Sequence, residues 1–451
     1  MSEPRAIGTL SERRGEPSDL LIRGVRCLDP REPIDAVGDL EICDGEIAEL
    51  HPAGSLAPDG VEVIEGEGLL AVPAFFDPHV HLRTPGQEHK EDLETGTRAA
   101  AAGGYCGILA MANTSPPVDT AGAISALYGR ARTEATVPVG FFATLTCAMA
   151  GAELVEMAEI VDAGAVGFTD DGVPVRSARV LRRGLQYTRL SGGIIALHEE
   201  DPELSAGGHM HEGEMSAQLG IPAIPGISES TMIARDAAIA LHENLPLHLQ
   251  HLSARSSVQA VTSAKAQGAQ LTCEAAPHHL VLTDAEVRSL DSRFKMNPPL
   301  RSEDDRQALI DGLRDGTIDC IATDHAPHAP QDKEVPFEQA AMGVTGLETA
   351  FAVLHTDLVR PGVLDLGLVV DKLSAGAAPF GLQLPSLTPG SEANVTLIDP
   401  EATWTVGEGG YESRSANCAF HGRELTGRVR MTVAGGRVAY RQPSFAIGAV
   451  A

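Results

Sequence analysis

"FFDPHVHLRTPG", residues 75–86, is an apolar run that ends in His79 and His81, one residue apart, with Arg83 just beyond. On a strand, residues i and i+2 share a face, so all three side chains leave the strand end in one direction. The texture recurs: further apolar runs end at "GILAMANT", "VGFFATLT", "AVGFTDD", "GIIALHEE", "LHLQHLS", "LTCEAAP" and "DCIATDH". Between them lie amphipathic stretches such as "LETGTRAAAAGG", "AELVEMAEIVDAG", "VLRRGLQYTRLSGG" and "SVQAVTSAKAQG". Many close on Gly, the usual helix C-terminal signal. Eight such alternations predict an α/β fold, a (β/α)8 TIM-like barrel over residues 73–385. A doubly wound open sheet is the alternative, but no glycine fingerprint follows the first strand.

Outside the barrel the texture changes. "LLIRGVRCLDP" through "DLEICDGEIAELHP" has a period of two broken by turn residues, and "ANVTLIDPEATWTV" and "LTGRVRMTVAGGRVAY" repeat it near the C-terminus. This predicts short antiparallel strands forming a small β-sandwich domain from both chain termini, residues 19–72 and 386–445. Residues 1–18 are polar and expected to be a flexible N-terminus.

Composition excludes several function classes. The formal charge of −28 repels nucleic acid and anionic membrane, so neither is expected as a partner. An anionic substrate must instead find local positive charge, which makes Arg83 notable. The seven cysteines include no CxxC pair and read as reduced core residues. No apolar stretch reaches transmembrane length and no signal-peptide core is present, so a cytoplasmic location is expected.

In a barrel, the C-terminal strand ends carry the chemistry. Strand 4 ends in Asp170-Asp171, strand 5 in His198, strand 6 in His251 and strand 8 in Asp324. One histidine at a strand end is more often a hydrogen-bonded core residue than a ligand. Four at equivalent ends, joined by two acids, favour metal. Imidazole and carboxylate without thiolate suit Zn2+ first, then Mn2+, Co2+ or Fe2+. Six ligands exceed one tetrahedral site, so two ions per subunit are expected.

"DPHVHLRTPGQEHKED", "MANTSPPVD", "GFTDDG", "HEED", "HLS", "PHHL", "KMNPPLR" and "ATDHAPH" resemble, in order, the motifs of class I dihydroorotases of the amidohydrolase superfamily. The resemblance implies a metal-dependent cyclic amidohydrolase that interconverts N-carbamoyl-L-aspartate and dihydroorotate. It further implies that His79 and His81 bind the more buried metal, that His198 and His251 bind the second, and that Asp171 bridges both. The spacing to His198 favours Asp171 over Asp170. Asp324 would touch the buried metal and act as general acid/base. Arg83, Asn113 and His328 would grip the substrate carboxylate, while Asn297 and the backbone at Met342 and Gly343 would meet the ring. A homodimer and a complex with aspartate transcarbamoylase are the partners the resemblance raises. The chain departs from the usual motifs at Ala112, Glu199 and Met342, none of them a proposed ligand.

Two other readings compete with this one. A hydantoinase, dihydropyrimidinase or allantoinase would usually bridge its metals with a carboxylated lysine at the end of strand 4, and "GFTDDG" offers none. An inactive scaffold for aspartate transcarbamoylase would be expected to lose metal ligands, and all six stand. Other tempting residues read blandly. His209 and His211 of "GGHMHEG" follow glycines rather than an apolar strand. His278 and His279 are expected to make structural hydrogen bonds, and Asp77 to support a metal-binding histidine. Lys90 reads as a surface residue, and His325 has the wrong parity.

Overall fold

The computed structural model describes residues 8–13, 15–56, 60–443 and 445. Eight parallel strands form the barrel: β1 (Phe75–Val80), β2 (Tyr105–Ala110), β3 (Val139–Ala143), β4 (Gly167–Phe168), β5 (Ile194–Leu197), β6 (Leu247–Leu249), β7 (Leu271–Ala275) and β8 (Cys320–Ile321). Every residue of β1, β2, β3 and β5 is buried, because the interior covers one face and helices the other. Parallel strands in this setting need continuous apolar runs, which is what the sequence supplies. The ring closes just past β8, where Val80 bridges His325 and the His81 amide donates to the His325 carbonyl at 2.9 Å.

β4 and β8 have only two residues each. The chain beyond them is irregular while still inside the barrel mouth, and this places Asp171 and Asp324 there. Helices follow the strands with strong start signals. Leu93–Ala102 begins at Asp92, whose carboxylate accepts from the Thr95 amide at 2.8 Å, satisfying one of the helix's free amides.

The terminal segments build one mixed eight-stranded sheet. Its path runs Arg437–Arg441, Glu424–Ala434, Val395–Thr405, Leu70–Pro73, Leu20–Asp29, Ile34–Cys43 and Glu46–Pro52, with Glu62–Glu65 also on Leu20–Asp29. Leu20–Asp29 pairs in parallel with both Glu62–Glu65 and Leu70–Pro73, so the strands are not all antiparallel as the sequence texture suggests. Glu46, on one edge, bridges Glu392, and Ile47, Met431 and Val433 share one core. The sandwich is therefore a single sheet folded over on itself.

Part of the polar N-terminal stretch, at Ser11 and Arg13, hydrogen-bonds to the barrel. Ser11 exchanges two backbone hydrogen bonds with Val139 at the start of β3, and the Arg13 amide donates to Ala135. Residues 1–7 and 14 lie outside the described residues. No helix among the described residues is long and apolar enough to cross a membrane.

Candidate active site

The six expected ligands meet at the C-terminal mouth of the barrel, each 6% exposed or less. His79 lies within β1, His81 and His198 directly follow β1 and β5, and His251 stands two residues beyond β6. Two groups of donor atoms form: His79, His81 and Asp171, and Asp171, His198 and His251. Asp171 belongs to both. Its Oδ1 lies 3.6 Å from His79 Nε2, 3.7 Å from His251 Nε2 and 3.8 Å from His198 Nδ1, while Oδ2 is 3.4 Å from His81 Nε2. Asp324 adjoins the first group, with Oδ1 3.1 Å from His81 Nε2 and 3.6 Å from His79 Nε2.

Two observations favour a cation between these atoms. His79 Nε2 is fully buried without a hydrogen-bond partner, and His198 Nδ1 stands 2.9 Å from His251 Nε2, two imidazole nitrogens turned on one point. Borderline nitrogen and oxygen donors of this kind suit a divalent transition ion. Burial would raise the Asp171 carboxyl, but His79, His251 and His81 outweigh it and hold the group well below its usual range. Arg83, His251 and Asp324 all adopt positive φ, at 54°, 30° and 47°. Such strained backbone tends to persist where surrounding structure fixes a functional side chain.

Asp170 faces away. It accepts from the Leu145 and Thr146 amides at 2.8 and 3.1 Å and from the Thr146 hydroxyl, anchoring the chain after β3.

The expected substrate contacts line the same cavity of about 290 Å3, together with the metal-facing groups. Their commitments differ. Arg83 donates from Nε to the Pro327 carbonyl at 3.1 Å, and no carboxylate among the described residues ion-pairs with it. Its terminal nitrogen is 3.5 Å from His328 Nε2, but that nitrogen already serves the Met342 carbonyl at 2.8 Å. Asn113 accepts from His81 Nδ1 at 2.9 Å and donates to Asp171 Oδ2 at 3.1 Å, so it ties these two side chains together. Asn297 places Nδ2 3.3 Å from His198 Nε2 and leaves Oδ1 without a partner. The Gly343 amide is committed to the Lys295 carbonyl at 3.0 Å. Glycine is required there: φ is 133°, and a Cβ would sit 2.8 Å from Ala326 Cβ and 2.9 Å from His328 Nε2. A larger cavity of about 350 Å3 near Trp404 has no group of metal donors, so size does not choose the site.

Two functional residues escape a reading by strand ends. Glu274, fully buried within β7, has Oε1 2.6 Å from His79 Nδ1 and 3.2 Å from the His251 amide, and Oε2 3.0 Å from His248 Nε2. One carboxylate thus fixes a histidine from each donor group and leaves His79 Nε2 turned toward Asp171 and Asp324. A charged residue inside an apolar strand, "LTCEAAP", was the available signal. Asn417, from the returning C-terminal segment, donates to the Ala326 and Gly343 carbonyls and accepts from the His328 amide, all at 3.1 Å. No local pattern points to it.

Asp77 supports no imidazole. It accepts from the His79 amide at 3.0 Å and from the Thr323 amide and hydroxyl, riveting β1 to the chain after β8. The Nδ1 atoms of His79 and His81 are held instead by Glu274 and Asn113. His209 and His211 turn to different cations, Lys295 at 3.4 Å and Arg301 at 3.3 Å. His279 donates to the Pro298 carbonyl at 2.9 Å, whereas His278 Nε2 is buried without a partner. Lys90 pairs with Asp332 at 3.2 Å, and His325 faces Glu91 at 3.4 Å. Glu199 is buried, and burial together with Asp236 pushes its carboxyl well above the usual range.

A sequence model of the family described as Dihydro-orotase-like matches residues 68–257. A dihydroorotase of Geobacter metallireducens is 43% identical over 94% of this chain and 100% of its own length. One from Pelotomaculum thermopropionicum is 43% identical over 93% of this chain and 98% of its own. Among solved structures, the L-hydantoinase (dihydropyrimidinase) of Arthrobacter aurescens superposes with a TM-score of 0.82 at 24% identity, covering 93% of this chain and 96% of its own, a likeness of fold. Identity at this level over nearly the whole of both sequences leaves one assignment: the chain belongs to the dihydroorotase family.

Proposed function

We infer that the chain is a dihydroorotase, interconverting N-carbamoyl-L-aspartate with (S)-dihydroorotate and water, the ring-closing step of pyrimidine synthesis. One observation carries the substrate choice: Arg83 is a buried guanidinium, 9% exposed, with no carboxylate partner among the described residues. Burial weakens the basicity of this guanidinium, while the nearby Asp324 and Asp171 carboxylates support its charge without pairing to it, so its outer donors stay open to an anionic substrate.

His79, His81 and Asp171 would hold one divalent ion and Asp171, His198 and His251 the other. When bound, such ions supply Lewis acidity and a nucleophile available at neutral pH. Asp324 is suited to move the proton. Burial opposes its ionisation, but the adjoining imidazoles of His81 and His79 hold it down at about 2, so it rests as a base. It would take a proton from the attacking water and deliver it to the departing ring nitrogen, and the reverse in ring closure. Arg83 would fix the substrate carboxylate through two parallel hydrogen bonds, and Asn297, with its free amide oxygen, would meet the ring.

The hydantoinase reading is disfavoured because Asp171 occupies the shared position and no lysine stands beside it. The deciding experiment is turnover of dihydroorotate, hydantoin and allantoin side by side after metal reconstitution. Dihydroorotate should be strongly preferred, and preference for a neutral ring would sink the assignment. Zinc as the resident ion, a cytoplasmic location, and a homodimer or a complex with aspartate transcarbamoylase rest on donor chemistry and resemblance. Metal analysis, fractionation and mass measurement of the native assembly test them.

A further inference from the structure

Two buried lysines lie behind the cavity wall. Lys333, the last residue of the short helix Pro330–Lys333, is 5% exposed. Its ammonium donates to three backbone carbonyls: Lys295 at 3.0 Å, Ala341 at 2.9 Å and Gly343 at 3.0 Å. Lys295, 2% exposed, reaches the opposite way and donates to the Phe337 and Glu338 carbonyls at 2.8 and 2.9 Å. The Lys295 carbonyl also accepts from the Gly343 amide, so it joins both connections.

Burying an ammonium against carbonyls alone is expensive, and an apolar side chain of similar volume would serve stability better. What a lysine adds is three donors on a long stem, able to tie acceptors from separate segments to one point. Here the acceptors belong to the two segments that carry Asn297 and Met342–Gly343, all lining the cavity. We propose that Lys333 is a positioning residue that clasps residues 295–297 to residues 341–343 as one wall of the substrate cavity, while Lys295 ties the same wall to residues 337–338. The clasp sets affinity for the ring, not the rate of the chemical step. This deepens the dihydroorotase reading and rests on it. Lys333 also borders a second cavity of about 290 Å3, lined by Asp291, Arg293, His328 and Glu334 among others, through which a small amine can reach its position.

The test is Lys333→Ala in the full-length metal-loaded enzyme, with kcat, KM for dihydroorotate and metal content measured with and without n-propylammonium. KM should rise roughly 10- to 100-fold, the scale of charge-assisted hydrogen bonds lost. The kcat and metal content should stay within about twofold, the pattern of lost ground-state binding. n-Propylammonium should restore KM, and the neutral n-propanol should not. Lys333→Met keeps the stem without the ammonium. It should show the same rise in KM with no rescue, and it carries the test if the alanine variant fails to fold. An unchanged KM, a joint collapse of kcat and metal content, or equal rescue by propanol would overturn the clasp. If the wild type turns over a neutral ring but not dihydroorotate, the functional reading fails, and the clasp is then judged on KM for that ring.

Discussion

The proposed metal-facing half of the site and the proposed substrate-facing half are built differently. The first is made of strand ends: each proposed ligand stands within three residues of a barrel strand, and its direction follows from strand geometry. The second adds to Arg83 and Asn113, just past β1 and β2, the loop residues Asn297, His328 and Met342–Gly343, held by long-range partners such as Asn417, Lys295 and Lys333. Strand-borne groups are set by the fold itself, whereas the loop-borne groups depend on buried polar ties that substitution can cut singly. The first half should therefore fail in metal binding and the second in substrate binding.

The largest expected effect tests the shared carboxylate. Asp171→Ala should lower metal content at both sites and abolish turnover. Asp170→Ala should keep its metal but lose roughly 1–3 kcal/mol of stability, because buried donors at Leu145 and Thr146 lose their acceptor. Elemental analysis and thermal melts on both variants check this, and the reverse order would put the bridging role on Asp170.

Next comes Asp324→Asn, which should keep at least one metal ion, since the other proposed ligands stand, and lose about a thousandfold in kcat, within the range of general acid–base catalysis. Near-normal turnover in a metal-replete variant would remove Asp324 from proton transfer.

Arg83→Met probes the substrate side. Binding of dihydroorotate should weaken by roughly 2–4 kcal/mol, as for a lost charge-assisted pair. Turnover of dihydrouracil, which lacks the carboxylate, should barely change. Equal losses in kcat/KM for both rings would show that Arg83 supports the fold or the metals instead.

The smallest effect belongs to Glu274→Gln, where the side chain keeps its shape but loses its charge beside His79 and His248. Metal affinity should fall about 10- to 100-fold, typical for outer partners of ligating histidines. Competition with a chelator measures it, and unchanged affinity would leave Glu274 as a purely structural residue.

The same division explains what the sequence could tell. Parity along a strand identifies His79 and His81 as a pair, and the alternation of strands and helices gives the barrel. Neither signal reaches Glu274, whose partners His79 and His248 come from two other strands, or Asn417, whose partners lie in the loop beyond β8. Asn113 shows a subtler limit: its place at the end of β2 could be read, but not that its amide would span His81 and Asp171. The terminal strands were recognisable by their period of two, yet period says nothing of partner or direction. The parallel pairing of Leu20–Asp29 with Leu70–Pro73 appears only in three dimensions.

That terminal sheet also sets a schedule for synthesis. Leu70–Pro73 takes Val395–Thr405 as its antiparallel neighbour, and the whole barrel is translated between them. At ~10 residues per second, the early strand waits about half a minute with one edge open before its partner leaves the ribosome. An open edge of apolar residues invites pairing with another chain. The nascent protein therefore passes through an interval in which a chaperone, or the barrel helices folding against it, must cover that edge, and slower translation of the barrel lengthens the exposure.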